Sequence, residues 1–231
     1  MAGLKGNEAN RLVLLDSGGT ETLSRTQQKQ DVDIWQRFGE AVRVIADAYD
    51  VLGQEQYVNA IATSLKATPQ SLNLADVPAL YELIGSVDER LVGLYLFEAC
   101  FSGYRTQQGK PLAQTFIESW ERSKKEHEPA SPGVNRGRLE KHLNRDPSGW
   151  HALYLGKGNN LRGRISDHLF GNKYKGWSCL RLGERFKVFE GVSLRLSWCA
   201  IPMGADHYDL VIPYFEKRFH ELWEPIMGNS R

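Results

Sequence analysis

Residues Ala152-Leu-Tyr-Leu-Gly-Lys-Gly-Asn-Asn-Leu-Arg-Gly-Arg-Ile-Ser-Asp-His168 are the most informative stretch of this chain. Their apolar beginning predicts a short strand, the Gly and Asn residues predict a turn, and the remainder predicts a helix. Tyr154, Lys157, Arg164 and His168 place a phenol, an ammonium, a guanidinium and an imidazole within fifteen residues. Such a set suits binding and cutting a phosphodiester, although a strand-turn-helix with a solvated basic face is the usual interpretation of a segment like this taken alone.

The predicted helix places its functional groups on one face. Arg164 and His168 are four residues apart, and Leu161, Ile165 and Leu169 lie on the neighbouring stripe, which we expect to face a sheet. The guanidinium and imidazole are then predicted at the margin of the core. Hydrolysis of a phosphodiester needs a grip on the phosphate, a deprotonated water and neutralised charge on the leaving oxygen, usually by a divalent metal. An arginine suits the grip because its planar fork binds two phosphate oxygens.

The composition predicts an ordinary soluble globular protein, with 41% hydrophobic and 25% charged residues among 231. No apolar run approaches the roughly 20 residues of a membrane span, and the N-terminus lacks the pattern of a secretion signal, so we expect a cytoplasmic protein. Cys100, Cys179 and Cys199 have no metal-ligand spacing, which favours free thiols in a reducing compartment.

The charge is unevenly distributed. Residues 131–231 carry 16 Lys and Arg against 10 Asp and Glu, whereas residues 1–130 carry 13 against 18. A basic C-terminal half is expected of a protein that binds a polyanion, because neutralising phosphates supplies most non-specific affinity for nucleic acid. Within this half, Lys173 and Lys175 lie near Trp177, whose indole could stack on a base or sugar; core packing is the commoner role of such a tryptophan.

The pattern along the chain predicts three regions: a polar N-terminal arm over 1–30, a helical domain over 31–128 for recognition or dimerisation, and an α+β domain with a small antiparallel sheet over 129–231. A linker rich in Pro and Gly over 125–137 marks the second boundary. Five helices are expected in the helical domain, including a central one from Val87 to Phe101, and a last helix is expected from near Ile212 to Trp223. Strands are predicted at Trp150 to Leu155, Phe186 to Phe189 and Leu194 to Ile201.

Residues 152–168 resemble the second half of the GIY-YIG nuclease domain. Their Arg-Ile-Ser-Asp-His motif, residues 164–168, is most similar to type II restriction endonucleases of that fold. Arg164 follows Lys157 by seven residues, as in the family. The family also requires a later glutamate, proline and asparagine. Glu216 precedes Pro225 by the family's nine residues, and Asn229 lies one residue further out than usual. The resemblance covers about residues 132–229.

The resemblance implies a Mg²⁺-dependent DNA endonuclease, with Mn²⁺ able to substitute. Glu216 would hold the metal, and Arg164 would bind and polarise the phosphate. Tyr154, with Lys157 and His168, would position or help deprotonate the water, and Asn229 would brace the site. Arg162, Lys173, Lys175 and Trp177 are the expected DNA contacts. Cutting both strands of a symmetric site favours a homodimer on double-stranded DNA.

One departure from the family concerns its first motif, which ends in a tyrosine on the opening strand. Pro132-Gly-Val-Asn135 stands in that place here, and an asparagine cannot accept a proton from water in the same way. Three explanations stay open: a natural loss of activity, an engineered inactive form, or a first strand elsewhere with His151 or another residue in the role. The alternatives to a restriction enzyme are a repair or toxin-like nuclease of low specificity and a DNA-binding protein on an inactive scaffold.

Overall fold

The computed structural model describes residues 25–106, 109–127, 131–171, 179–201 and 208–228, with side chains from residue 36 onward. The chain forms two compact units, 1–50 and 51–231. The described part of the first unit is helical. The second contains a four-stranded sheet with helices on both faces. No helix among the described residues is long and apolar enough to cross a membrane.

Seven α-helices and four strands make up the described chain. The helices are α1 (Arg25–Leu52), α2 (Glu55–Ala67), α3 (Val77–Ser86), α4 (Leu112–His127), α5 (Arg136–Arg145), α6 (Leu161–Phe170) and α7 (Tyr208–Trp223). The strands are β1 (Gln70–Leu72), β2 (Gly93–Cys100), β3 (His151–Gly158) and β4 (Ser193–Ala200), and a 3₁₀ helix spans Gly183–Phe189. The predicted α+β class, with a small antiparallel sheet flanked by helices, is confirmed.

The sheet has the order β1-β4-β2-β3, and every neighbouring pair is antiparallel. Strand β2 is central and all eight of its residues are buried. The helix predicted from Val87 to Phe101 is therefore wrong. A strand covered on both faces is apolar on both faces, so it lacks the alternation that distinguishes a strand from a buried helix.

Each face of the sheet packs against its own helices. Tyr95 and Phe97 of β2 belong to a core shared with α3, α4, α5 and α6. Leu94 and Leu96 belong to a second core shared with α2 and α7. Tyr154 pairs with Phe97, two residues along from the Tyr95–Gly156 pair, so its side chain lies on the same face of the sheet as Tyr95. A bulge in β3 follows, since Glu98 pairs with Ala152, and the extra residue, Leu153, packs in the same core as Tyr95.

Other predicted elements differ from the structure in instructive ways. The strand predicted at Phe186 to Phe189 is wrong, because Arg185, Val188 and Phe189 are buried at a helical spacing in the 3₁₀ helix. The strands predicted at Trp150 to Leu155 and Leu194 to Ile201 correspond to β3 and β4. The sheet takes β1 and β2 from before the predicted boundary at 128/129, and the compact units divide between residues 50 and 51. Helix α1 already begins at Arg25, within the predicted arm, and residues 1–24 lie outside the described chain.

Candidate active site

The turn between β3 and α6 positions Arg164. Asn160 caps α6, its side chain accepting a hydrogen bond from the Gly163 amide at 2.7 Å. The apolar stripe predicted for this helix is confirmed, since Leu161, Ile165 and Leu169 are fully buried. Gly158 leaves room for the arginine stem, because a Cβ there would lie 2.9 Å from Arg164 Cγ. The guanidinium lies 3.5 Å from the Asp167 carboxylate and is mostly shielded.

His168 lies inside the core, and its predicted place at the core margin is wrong. The Leu180 amide donates to Nδ1 at 3.1 Å, so the ring proton is on Nε2, which donates to the Tyr95 hydroxyl at 2.8 Å. Burial first, then the nearby Arg164 charge, lowers the pKa of His168 to about 3. Both ring nitrogens are engaged and the side chain is fully buried. His168 therefore positions Tyr95 and cannot deprotonate a solvent water itself.

Tyr95 is the main group that reasoning from the sequence missed. It follows Gly93 and Leu94 on β2 and pairs with Gly156 of β3. A Cβ at position 156 would lie 2.2 Å from the Tyr95 hydroxyl oxygen, so Gly156 makes space for the phenol. The sequence Gly93-Leu94-Tyr95 could have indicated a strand that carries a tyrosine. It was overlooked because a helix was predicted over this segment.

The Tyr95 phenol is held in a polar cluster within the apolar core. Its ring stacks against Tyr154 with centroids 6.3 Å apart, and the Tyr154 ring lies 4.7 Å from His168. Burial raises the pKa of Tyr95 well above its usual value and Tyr154 adds to the rise, while Arg164 opposes it and hydrogen-bonds the phenol. The phenol is therefore neutral near pH 7. Its oxygen accepts from His168, which leaves its own proton available for donation.

Glu216 reaches the same region from the other face of the sheet. Helix α7 packs against β3, and the Glu216 carboxylate lies 2.7 Å from Lys157 Nζ. The two side chains are 24% and 31% exposed, so a ligand can reach both. Because β3 is the edge strand, groups on α6 and α7 can meet around it.

Arg164 and Glu216 both influence the pKa values of two tyrosines, Tyr95 and Tyr208. Arg164 and Glu216 both act on the pKa of Tyr95, in opposite directions. They also both act on Tyr208, whose pKa is raised to about 12 by burial first and then by Glu216, with Arg164 opposing. In the contacts themselves, Gly156 packs against the Tyr95 phenol, Gly158 against the stem of Arg164, and Lys157 pairs with Glu216, so these groups lie around three consecutive residues of β3. Tyr208 had not been singled out in the sequence.

A buried histidine lies beside Glu216 on α7. His220 lies one turn after Glu216 on α7, and burial lowers its pKa while the Glu216 charge opposes the shift. No ligand spacing in the sequence had marked it.

Asn135 does not lie on a strand, as the first motif of the resemblance would; it follows an isolated bridge between Val134 and Met227 and caps α5. Its side chain caps α5 by accepting from the Arg138 amide at 3.0 Å, and its own amide donates to the Ile226 carbonyl at 2.8 Å. His151, the other named substitute, is the first residue of β3. It lies about 20 Å along the strand from Lys157 and is buried beside His142.

The expected DNA contacts are only partly described. The side chain of Arg162, on α6, reaches the C-terminal end of α3. It donates hydrogen bonds to the carbonyls of Val87 and Gly85, and its guanidinium lies 3.6 Å from the Glu89 carboxylate. These contacts give it a helix-capping role. Lys173, Lys175, Trp177 and Asn229 lie outside the described residues.

The surroundings of Glu216 decide which metal ion it could hold. No group of three or more His, Cys, Asp or Glu side chains converges within the described ranges. A lone half-shielded carboxylate does not suit zinc, which needs three or four protein ligands. It does suit Mg²⁺, which keeps several waters and takes one or two carboxylates together with phosphate oxygens. Glu216 therefore fits a magnesium ion that is completed by substrate.

Comparisons with family models, with curated proteins and with solved structures found no match to this chain. The arrangement of the site's own residues must therefore carry any assignment of function.

Proposed function

We propose that this protein is a Mg²⁺-dependent endonuclease of the GIY-YIG type that hydrolyses phosphodiester bonds in double-stranded DNA, and that it acts as a type II restriction enzyme. The observation that carries the proposal is the convergence of Tyr95, Arg164 and the Lys157–Glu216 pair around residues 156–158 at the edge of the sheet. These groups come from three parts of the sequence and from both faces of the sheet. Maintaining the fold does not by itself require them to meet.

In this proposal Gly93-Leu94-Tyr95 is the first motif of the family. The segment lies on a strand, as the first motif of the resemblance does, and that strand pairs with the one carrying Tyr154. Of the three explanations for Asn135, a first strand elsewhere in the chain is thus favoured, with Tyr95 in the role. The inactive-scaffold alternative loses the observation that supported it.

The side chains have complementary tasks in the proposed reaction. Arg164 would hold two phosphate oxygens with its planar fork. Tyr154, which is only partly buried, would orient the attacking water, and Tyr95, which is fully buried and stacks against Tyr154, would support it from within the core. Glu216 would hold one Mg²⁺, which when bound neutralises charge at the leaving oxygen. Lys157 would exchange its contact with Glu216 for one with the phosphate or the water.

The decisive experiment incubates supercoiled plasmids with purified protein and Mg²⁺. Arg164→Ala should reduce the cleavage rate by about 10²–10³, the usual cost of removing one positioned electrostatic donor. Arg136→Ala is the matched control, because that guanidinium lies 57% exposed on α5 beside Glu140, and its cleavage should equal that of the wild type.

Each result of this digestion has a distinct meaning. Discrete bands support restriction, and a smear indicates the low-specificity nuclease. Wild-type-like cutting by folded Arg164→Ala would refute the assigned site. DNA binding without cleavage in Mg²⁺ or Mn²⁺ would refute the enzyme and restore the inactive scaffold.

A further inference from the structure

Helix α1 carries an apolar stripe with the spacing of a coiled coil. Phe38, Val42, Ile45, Tyr49 and Leu52 follow one another in alternating steps of four and three residues. This spacing averages 3.5 residues, which keeps a stripe facing a second helix along its whole length. We call these five residues the α1 seam.

Much of the α1 seam is exposed within its own unit. Phe38 is 59% exposed, Val42 47% and Ile45 44%. Leu52, at the other end, is half-buried against the second core, so it marks the limit of the surface that a partner helix can reach. Exposed apolar residues scattered over a surface are ordinary, but a continuous row of large ones marks a contact surface.

The residues around the seam indicate what kind of helix it meets. The positions that flank a coiled-coil seam are small and uncharged here: Gly39, Ala41, Ala46 and Ala48. The charged residues of this part of α1 all lie on the remaining positions, away from the seam: Arg37, Glu40, Arg43, Asp47 and Asp50. Two copies of α1 can therefore approach closely without placing like charges against each other, and a charged partner helix would find no complementary charge.

We propose that α1 pairs with α1 of a second copy of this chain through the seam, forming a coiled-coil dimer. The stretch from Phe38 to Leu52 is about 22 Å long, and so short a pair of helices is marginal by itself. The dimer should accordingly dissociate on dilution. The use of the dimer, to bring one site to each strand of a symmetric DNA target, rests on the proposed nuclease function, whereas the pairing itself does not.

Sedimentation velocity of the full chain, without DNA or metal, tests the pairing. The wild type should shift from monomer to dimer as its concentration rises over roughly 1–100 µM. Val42→Glu with Ile45→Glu should weaken association by about 100-fold or more, because it buries carboxylates in the seam. Val44→Glu is the matched control: Val44 is also apolar and is 67% exposed, but it lies off the seam, so its dimer should match that of the wild type.

Several results would overturn the pairing. These are a wild type that stays monomeric across the series, a double variant that dimerises normally, or a Val44→Glu protein as impaired as the double variant. Circular dichroism at 222 nm checks that the variants keep their helices, and a monomeric wild type would overturn the pairing even if the double variant misfolds. Cleavage then separates the two proposals. A monomeric double variant should still nick plasmids if the nuclease site is right, and a dimer that never cuts DNA would remove the nuclease alone.

Discussion

The two ends of strand β3 carry similar side chains in different settings. At the His151 end, His142 Nε2 bonds the Glu224 carbonyl at 3.0 Å and Arg145 contacts His142 Nδ1 at 3.2 Å. These contacts join α5 to the segment after α7. At the Lys157 end, side chains from different elements pair with one another and are partly open to solvent. Each end also has a partly exposed ion pair, Lys141 with Glu224 and Lys157 with Glu216. Lys157, however, lies between the glycines that contact the Tyr95 phenol and the stem of Arg164, so under the proposed function the chemistry belongs to that end.

Two glycines give the strongest test of this difference. Gly156→Ala should destabilise the protein by roughly 2–3 kcal/mol and abolish cleavage, because its Cβ would meet the buried Tyr95 phenol at 2.2 Å. Gly149→Ala, just before the other end of β3, meets only the exposed Asp146 side chain, which can rotate away. Its cost should be below about 1 kcal/mol, since hydrogen bonds such as that from Ser148 to Asp146 are lost. Urea denaturation measures both, and equal costs would contradict the packing assigned to Tyr95.

The buried histidines predict a loss of stability in acid. The pKa of His168 is about 3 in the folded chain, against about 6.5 in the unfolded chain. Between these values the unfolded chain binds a proton that the folded chain refuses. The contribution of neutral His168 to the free energy of unfolding is therefore complete above pH 6.5. It falls by about 1.4 kcal/mol for each pH unit below that value, down to the folded pKa. Burial also lowers the pKa of His151, but Asp146 opposes the shift, so its contribution should be smaller.

Urea midpoints at pH 7.5 and pH 5 measure this effect. His168→Phe should be less stable than the wild type at pH 7.5, because Tyr95 and the Leu180 amide lose their partner. The urea midpoint of His168→Phe should also change less between the two pH values than that of the wild type. His151→Phe should keep most of the wild-type pH dependence, and an equal flattening by the two substitutions would show that the two ends do not differ in this respect.

Local parts of the site were predictable from the sequence. The turn after β3, the start of α6 and its buried stripe follow from neighbouring residues, since a cap and a helical period act within a few positions. That Glu216 and Arg164 would approach the same strand was predicted only through the family resemblance. It depends on α7 packing against an edge strand, which no local pattern encodes.

Tyr95 and His168 show what the sequence could not supply. Strand β2 is buried on both faces, and its partner Gly156 lies some sixty residues later, so neither alternation nor proximity identified the pairing. The four-residue spacing between Arg164 and His168 correctly predicted that both lie on the same face of α6. The complete burial of His168 comes from the segment around Leu180 and Leu182, whose amides bond the His168 side chain and carbonyl. Burial by a distant segment cannot be read from helical spacing.

The smallest expected change in stability concerns two lysines, one at each end of β3. Lys157→Met and Lys141→Met each remove a partly exposed ion pair, with Glu216 and with Glu224 respectively. Such pairs are worth about 0–1 kcal/mol, so the two urea midpoints should barely move.

The two lysine variants should differ in function even though their stabilities match. Lys157→Met leaves the Glu216 carboxylate without its competing ammonium, so Mn²⁺ should bind more tightly, as titration followed by electron paramagnetic resonance would show. Plasmid cleavage should nevertheless slow, because the cation that would reach the phosphate or the water is gone. Lys141→Met should change neither readout. If it lowers cleavage as much as Lys157→Met does, the chemistry is not confined to one end of the strand, and the contrast drawn from the side-chain contacts fails.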